Sequence, residues 1–324
     1  MSKAEPQLIS LSAEVPHSLA GNRLDQIAAQ LFTEYSRARL QEWIKQGKLT
    51  LDGQHCRPRD TAGVGAVLLL EVEPEPVENW IAQEMPLQVV YEDADLLVIN
   101  KPADLVVHPA AGHRQGTLVN GLLHYCPTLE SVPRAGIVHR LDKDTTGLLV
   151  VAKNLRSHNG LVQQLQARTI SRQYQAVVQG VMTAGGTVSE PLGRHPVNRI
   201  KRAVVRNGQE AVTNYRVLKR FRAHTHIQVN LETGRTHQIR VHMAHLKYPI
   251  VGDPLYNSRL QVPSASSELL KQVLADFRRQ ALHAWKLSLM HPLSGKECNW
   301  ESTLPSDFET LLKSLRDDRQ VIES

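Results

Sequence analysis

Residues Pro133 to Lys153 read PRAGIVHRLDKDTTGLLVVAK. The stretch changes character midway. His139, Arg140, Asp142, Lys143 and Asp144 crowd one short segment, and Leu148 to Val151 then form an aliphatic run. A run of that length beside a glycine predicts a strand, Gly147 to Ala152, buried on both faces. A charged loop entering such a strand is anchored at one end and open at the other, which fixes reactive groups while leaving them accessible. Asp142, flanked by Arg140 and Lys143, is expected to stay ionised, because nearby cations favour the carboxylate. That state suits a nucleophile or a base.

Outward from this loop the signals mix short strands and helices. Leu87 to Tyr91 and Leu96 to Asn100 read as strands joined by an acidic turn, and Tyr174 to Val178, Tyr215 to Leu218 and Thr225 to Leu231 as further strands. Thr117 to Tyr125, Leu155 to Arg168 and Gln238 to Leu246 read as helices, the last with Ile239, Met243 and Leu246 inward. The tail from Ser306 has Phe308, Leu311, Leu312 and Leu315 at helical spacing. Strands and helices do not alternate strictly, so the expected class is α+β, a mixed sheet with flanking helices, rather than a doubly wound parallel sheet.

The first part of the chain reads as a separate module over 18–72. Leu24, Ile27, Ala28 and Leu31, then Leu40, Trp43 and Ile44, have helical spacing, with Ser36 placed to cap the second helix. Lys48 to Leu51 and Val67 to Val72 can pair as strands, with Asp52-Gly53 as a tight turn. Arg37, Arg39, Lys45, Lys48, Arg57 and Arg59 make its surface basic. Glu71 to Glu84, EVEPEPVENWIAQE, then concentrates five glutamates around two prolines. Residues 73–85 are read as an acidic linker, and 86–324 as the second domain.

The chain has 324 residues and a net charge of +6, a modest excess that matters only if it is segregated. It is. Between Arg194 and Arg222 lie nine cations, Arg199, Lys201 and Arg202 among them, with Glu210 as the only acid. Tyr215 and Phe221 are interleaved, so the stretch could follow a phosphate backbone and offer stacking faces. Two basic regions favour an extended polyanion over a small phosphorylated metabolite. Cys56, Cys126 and Cys298 are odd in number and far apart, which predicts neither disulfides nor a thiolate zinc site and suits a reducing cytoplasm. Met1 to Ser10 has no apolar segment of signal-peptide type, and no run is long enough to span a bilayer. No P-loop, GxGxxG or HExxH pattern occurs, so nucleotide hydrolysis and hydride transfer lack support. Monomer is the default, since no heptad repeat or long apolar stripe calls for a partner.

A second polar cluster, Glu232 to His245 (ETGRTHQIRVHMAH), follows an alternating strand and opens a helix. Arg235, at that opening, is a candidate bidentate partner for a carboxylate. His237, His242 and His245 lack the spacing of a complete metal site.

Gly136 to Lys153 closely resembles the signature of the RluA-type family of RNA pseudouridine synthases, with HRLD as its core. Tyr91 to Pro109 (YEDADLLVINKPADLVVHP), Arg172 to Ala176 (RQYQA) and Leu231 to Met243 (LETGRTHQIRVHM) resemble the family's other motifs. The helix pair and hairpin before Val72 resembles an RNA-binding module of a small-subunit ribosomal protein. The resemblance implies a mainly antiparallel pseudouridine synthase domain that uses no cofactor. It implies Asp142 as catalytic aspartate, Arg140 as the residue replacing the flipped uridine in the RNA stack, and Tyr174 as the residue stacking on the base. It further implies Arg235 as partner of the aspartate and Ile239 as a wall of the pocket. The implied substrate is 23S rRNA or an assembling large ribosomal subunit, at uridines of the helix-69 stem-loop. Arg37, Arg39, Lys45, Lys48, Arg199, Lys201 and Arg202 are the expected RNA contacts. The competing reading is a non-enzymatic ribosome-assembly factor that uses the same basic surfaces.

Overall fold

The computed structural model describes residues 9–32, 35, 37–72, 80–109, 115–198, 200–257 and 260–323. The chain divides into two compact units, Met1–Asn79 and Trp80–Ser324.

The first unit packs two helices on a small sheet. Helix α1 (Leu24–Leu31) buries Leu24, Ile27 and Ala28, and α2 (Arg37–Lys45) buries Leu40, Trp43 and Ile44. These are the positions that the helical spacing predicts; Ser36 lies outside the described residues. The sheet has the order β1 (Ile9–Glu14), β3 (Val67–Val72), β2 (Leu49–Leu51), all antiparallel. Strand β1 was not foreseen, and it moves the start of the unit ahead of residue 18. Asp52 and Gly53 both have positive φ, with Leu51 and Gln54 bonded to each other across the turn. That is the conformation for which Asp-Gly is selected.

The second unit is built on a nine-stranded mixed sheet. Its strands are β4 (Val89–Glu92), β5 (Leu96–Lys101), β6 (Thr146–Ala152), β7 (Ser171–Gln179), β8 (Gly186–Ser189), β11 (Val212–Arg220), β12 (His224–Leu231), β13 (Leu282–Met290) and β14 (Glu297–Glu301). Strands β9 (Leu192–Arg194) and β10 (Arg202–Val204) form a separate hairpin. The main order is β4-β5-β6-β13-β7-β12-β11-β8, with β14 also on β13, and β6–β13 is the parallel pair. Every residue of β6 is buried, as the aliphatic run predicts. Leu149 and Val151 face one core, while Leu148, Val150 and Ala152 face a second core with Leu161 of α4 (Leu155–Gln166). Helices α3 (Leu118–Tyr125), α5 (Gln238–His245), α6 (Glu268–Asp276) and α7 (Ser306–Glu323) cover the first core.

Gly147 explains how the loop before β6 is docked. Its φ is +113°, and an added Cβ would stand 2.2 Å from the Ala284 carbonyl oxygen of β13. Only glycine lets the two backbones approach this closely. Thr146 Oγ1 meets His283 Nδ1 at 2.8 Å beside it, so the loop ending at Thr145 is held directly on the central strand.

The linker expectation needs correction. Residues 73–79 lie outside the described residues, but 80–85 belong to the second unit. Trp80 packs on its core, Gln83 N–H donates to Asn120 O (2.9 Å), and Asn120 Nδ2 donates to Ile81 O (2.8 Å). Backbone hydrogen bonding takes up this segment despite its acidic composition. Among the described residues no helix is long and apolar enough to cross a membrane.

Candidate active site

The HRLD loop leaves the protein core at His139 and re-enters it at Thr145. His139 Nε2 accepts the N–H of Val150 (3.1 Å), and burial, with the Arg172 charge adding to it, pushes its pKa down to about 3. It is a neutral loop fastener, as its lack of a catalytic task suggests. Lys101, 1% exposed at the end of β5, donates from Nζ to the carbonyls of Pro102 (2.7 Å), Leu105 (2.9 Å) and Lys143 (2.8 Å). Burial lowers its pKa to about 7 against the opposing charges of Asp144 and Asp142. It therefore ties the loop to β5 and is not an RNA contact. From the other side, Arg279 Nη1 donates to Asp144 O (3.3 Å) and Gln280 Nε2 to Thr145 Oγ1 (3.0 Å).

Asp142 sits on this braced loop with its side chain 15% exposed. Lys143 turns away to Asp104 (2.7 Å), so the neighbouring cation that sequence proximity offers is spent elsewhere. Nor does Asp142 form an Asx turn, because the N–H of Thr145 goes to its backbone carbonyl (3.1 Å). Its carboxylate partner is Arg240 of α5, whose Nη1 donates to Oδ2 at 2.9 Å.

Arg240, not Arg235, is thus the arginine that orients the aspartate. Arg235 is exposed in the turn before α5, and its Nε donates to Glu210 O (3.1 Å). The reason is local geometry. His237 takes a left-handed conformation (φ 59°, ψ 20°) and reverses the chain, so Arg235 stays outside while Arg240 enters with the first helical turn. A signal was present: Arg240 follows the inward Ile239 and precedes Met243 by three, so its guanidinium falls on a buried flank and needs a carboxylate. That carboxylate is Asp253, fully buried, whose Oδ2 and Oδ1 accept from Arg240 Nε (2.7 Å) and Nη2 (2.9 Å). Burial opposes the arginine's charge, but Asp253 and then Asp142 hold its pKa above the ordinary value. Asp253, Tyr256 and His237, which adjoin this network, were also missed as site residues, because the contacts that join them link a loop after α5 to the hairpin β9–β10.

Tyr174 and Ile239, 5% and 4% exposed, belong to the same core cluster behind Asp142. Burial raises the Tyr174 phenol, with Arg172 opposing and Asp142 reinforcing the shift. Arg140 is exposed on the loop, two residues before Asp142. Arg240 thus bonds Asp142 and the Asp142 charge reaches Tyr174, while Ile239 precedes Arg240 in α5 and Arg235 bonds Glu210 instead.

The basic regions also sort themselves. Arg37 pairs with the buried Asp25 of α1 (2.7 Å), so part of its task is structural. Arg39 lies over the Trp43 ring (5.1 Å), Lys45 is exposed and Lys48 half-buried. In the second unit Arg216 bonds Gln228, Arg220 bonds the carbonyls of Met182 and Thr183, and Arg222 bonds Asp318. Phe221 is buried in the core and Tyr215 packs against it, so neither is a free stacking face. Lys201 and Arg202, by contrast, lie on the hairpin β9–β10; Arg199 is outside the described residues.

His242 uses both ring nitrogens, on Thr213 Oγ1 (2.8 Å) and Glu190 O (3.0 Å). The His237, His242 and His245 trio does not converge. Among the described residues the group with metal-ligand spacing is Asp93, Asp95 and His291. It excludes Asp142, and its members are already joined by hydrogen bonds, His291 Nε2 with Asp93 Oδ2 at 3.1 Å.

Residues 95–245 match the RNA pseudouridylate synthase family model, and residues 22–68 match the S4 domain. The chain is 60% identical over 314 residues to ribosomal large subunit pseudouridine synthase D of Pseudomonas aeruginosa, covering 97% of this chain and 98% of that one. The protein of the same name from Escherichia coli K12 is 50% identical over 313 residues, 96% of each chain. Among solved structures, human RNA pseudouridylate synthase domain containing 4 aligns with a TM-score of 0.56 at 29% identity, covering 71% of this chain and 93% of that chain. The chain belongs to the RNA pseudouridylate synthase family and carries an S4 domain ahead of its synthase domain.

Proposed function

We propose that this chain converts uridine to pseudouridine in large-subunit rRNA, with Asp142 as the reacting carboxylate. The observation that carries the reading is the Asp142–Arg240–Asp253 chain of ion pairs. Arg240 is fixed on Asp253 and presents one nitrogen to Asp142, so the carboxylate is aimed without being fully consumed. The reaction breaks the N1–C1′ bond, turns the uracil and joins C5 to C1′, while the C5 proton is lost and N1 gains one. It is redox-neutral and conserves every atom. Attack on C1′ and removal of a sugar proton both require an ionised, aimed carboxylate.

The target base must leave the helix first. Arg140, exposed beside Asp142, can enter the vacated stack, its guanidinium stacking and pairing with phosphate. Tyr174 then holds the detached ring and Ile239 walls the pocket. Lys201 and Arg202 on the hairpin, with Arg39, Lys45 and Lys48 in the first domain, supply the phosphate contacts that position the RNA. The names of the 50–60% identical relatives support large-subunit rRNA as the substrate, and the helix-69 stem-loop is the site we assign within it. The domain assignment is an S4-type module, then a synthase domain starting near Trp80, acting in the cytoplasm as a monomer; the three cysteines are unbonded.

Mapping pseudouridine across total RNA tests this, using a strain lacking the gene and complemented with wild type or Asp142→Asn. Restoration by wild type alone, at large-subunit sites, is expected. Pseudouridine formed by Asp142→Asn would remove the catalytic assignment. Loss confined to other RNAs would remove the substrate, and unmodified but bound rRNA with wild type would favour the assembly-factor reading.

A further inference from the structure

Arg240 engages one oxygen of Asp142, Oδ2. The other, Oδ1, faces Nε2 of His237 at 4.0 Å. That distance exceeds a hydrogen bond, so the contact acts as a charge–dipole interaction whose sign depends on which ring nitrogen carries the proton.

The surroundings decide the proton's place. Tyr256 Oη accepts the backbone N–H of Arg202 at 2.8 Å, and an amide can only donate. Tyr256 Oη also lies 2.8 Å from His237 Nδ1. With the hydroxyl proton directed to Nδ1, the chain runs Arg202 N–H to Tyr256 O–H to His237 Nδ1, and the imidazole carries its one proton on Nε2, facing Asp142. The opposite tautomer would aim the Nε2 lone pair at a carboxylate, which is repulsive. Burial lowers the pKa of His237 despite Asp142 nearby, in keeping with a neutral ring.

The placement is costly and braced. His237 takes its left-handed conformation without being glycine or asparagine, a strain that surrounding structure must sustain. The brace is Tyr256, whose ring stands edge-on to the imidazole (79°) and lies 5.1 Å from the Arg240 guanidinium. Asp253, the anchor of Arg240, also accepts the N–H groups of Leu255 (2.9 Å) and Tyr256 (3.1 Å). One buried carboxylate thus supports both groups that approach Asp142.

We propose that His237 is a positioning residue for Asp142, its Nε2–H orienting the oxygen that Arg240 leaves unbonded, and that Tyr256 sets the tautomer on which this depends. The inference rests on reading Asp142 as the reacting carboxylate. Its outer end is the backbone of Arg202, so two consecutive hydrogen bonds join the hairpin β9–β10 to His237, whose Nε2 faces Asp142 at 4.0 Å.

The test compares full-length wild type, His237→Asn, Tyr256→Phe and the double variant on a large-subunit rRNA transcript, by single-turnover rate and by KM. Asparagine tolerates the left-handed backbone but does not span the ring's two contacts. His237→Asn is expected to lower kcat by about tenfold or more, with KM within about twofold. Tyr256→Phe should lower kcat less, and the double variant should match His237→Asn, because Tyr256 acts through His237. Wild-type kcat in His237→Asn, losses that appear in KM instead, or losses that multiply in the double variant would each overturn the proposal. If His237→Asn fails to fold, Tyr256→Phe decides alone: wild-type kcat refutes the proton assignment and a lowered kcat at unchanged KM supports it. The reading of Asp142 fails separately, by activity in Asp142→Asn.

Discussion

Asp25 in the first unit and Asp142 in the second are both carboxylates held by arginine, and they serve opposite ends. Asp25 is fully buried. Its oxygens accept from Arg23, Arg37 and Gln41, so both are engaged, Oδ2 by all three partners. Asp142 retains 15% exposure and, among the described residues, a single hydrogen-bond partner, on Oδ2. An arginine beside a carboxylate therefore says little by itself. What separates a strut from a reacting group is how many lone pairs the fold leaves unspent.

The comparison breaks most sharply at Asp142. Asp142→Asn should lower the rate of pseudouridine formation at least about a thousandfold while leaving the thermal midpoint near wild type. Next in size is the pair of arginines. Arg240→Lys loses the planar fork that spans Asp253 and Asp142 and should cost about a hundredfold in kcat, whereas Arg235→Lys should leave kcat within about twofold. Equal losses in the two variants would mean that the ion pair with Asp142 is not what aims it.

Asp25 responds in stability rather than rate. Asp25→Asn should destabilise the first unit by about 2 kcal/mol in urea titration; its arginine partners are nearly half exposed, so their charges are not stranded when it is removed. Burial alone would raise the Asp25 pKa, but hydrogen bonds from Arg23, Arg37 and Gln41 hold it well below the ordinary 3.8. The unfolded chain thus binds this proton at higher pH than the folded one. Stability from Asp25 is fully present above about pH 5 and falls as pH drops below about 4, a decline that Asp25→Asn should flatten. The smallest effect belongs to the hairpin. Lys201→Ala should weaken rRNA binding and reduce the slope of log K against log salt by about 0.7–0.9, leaving single-turnover kcat at saturation unchanged.

Much of this was legible because local pattern and final environment agree. The aliphatic run of β6 and the helical spacings of α2 and α7 bury what the pattern predicts, and α1 buries Leu24, Ile27 and Ala28 while Leu31 is half-buried. The central strand β13 was not legible: ALHAWKLSLM mixes polar and apolar residues without clean alternation, and its identity comes from three partner strands, β6 and β7 far away in sequence and β14 across a turn. Arg235 failed for a related reason. Motif spacing places two arginines near the helix start, and only the left-handed turn at His237 decides which points inward. In the basic stretch, Arg216, Arg220 and Arg222 each hydrogen-bond to protein groups, which composition does not reveal.

The position of β13 also sets the order in which the molecule can become active during synthesis. Strands β4, β5 and β6, which carry the Asp142 loop, join the strands that carry Tyr174 only through β13. A ribosome that has translated as far as Arg279 has made every reacting residue, yet the nascent chain presents two half-sheets with open edges at β6 and β7. Pseudouridine formation thus waits for the last 45 residues of the chain to emerge. Until then those edges are the part of the protein most in need of protection from pairing with other chains.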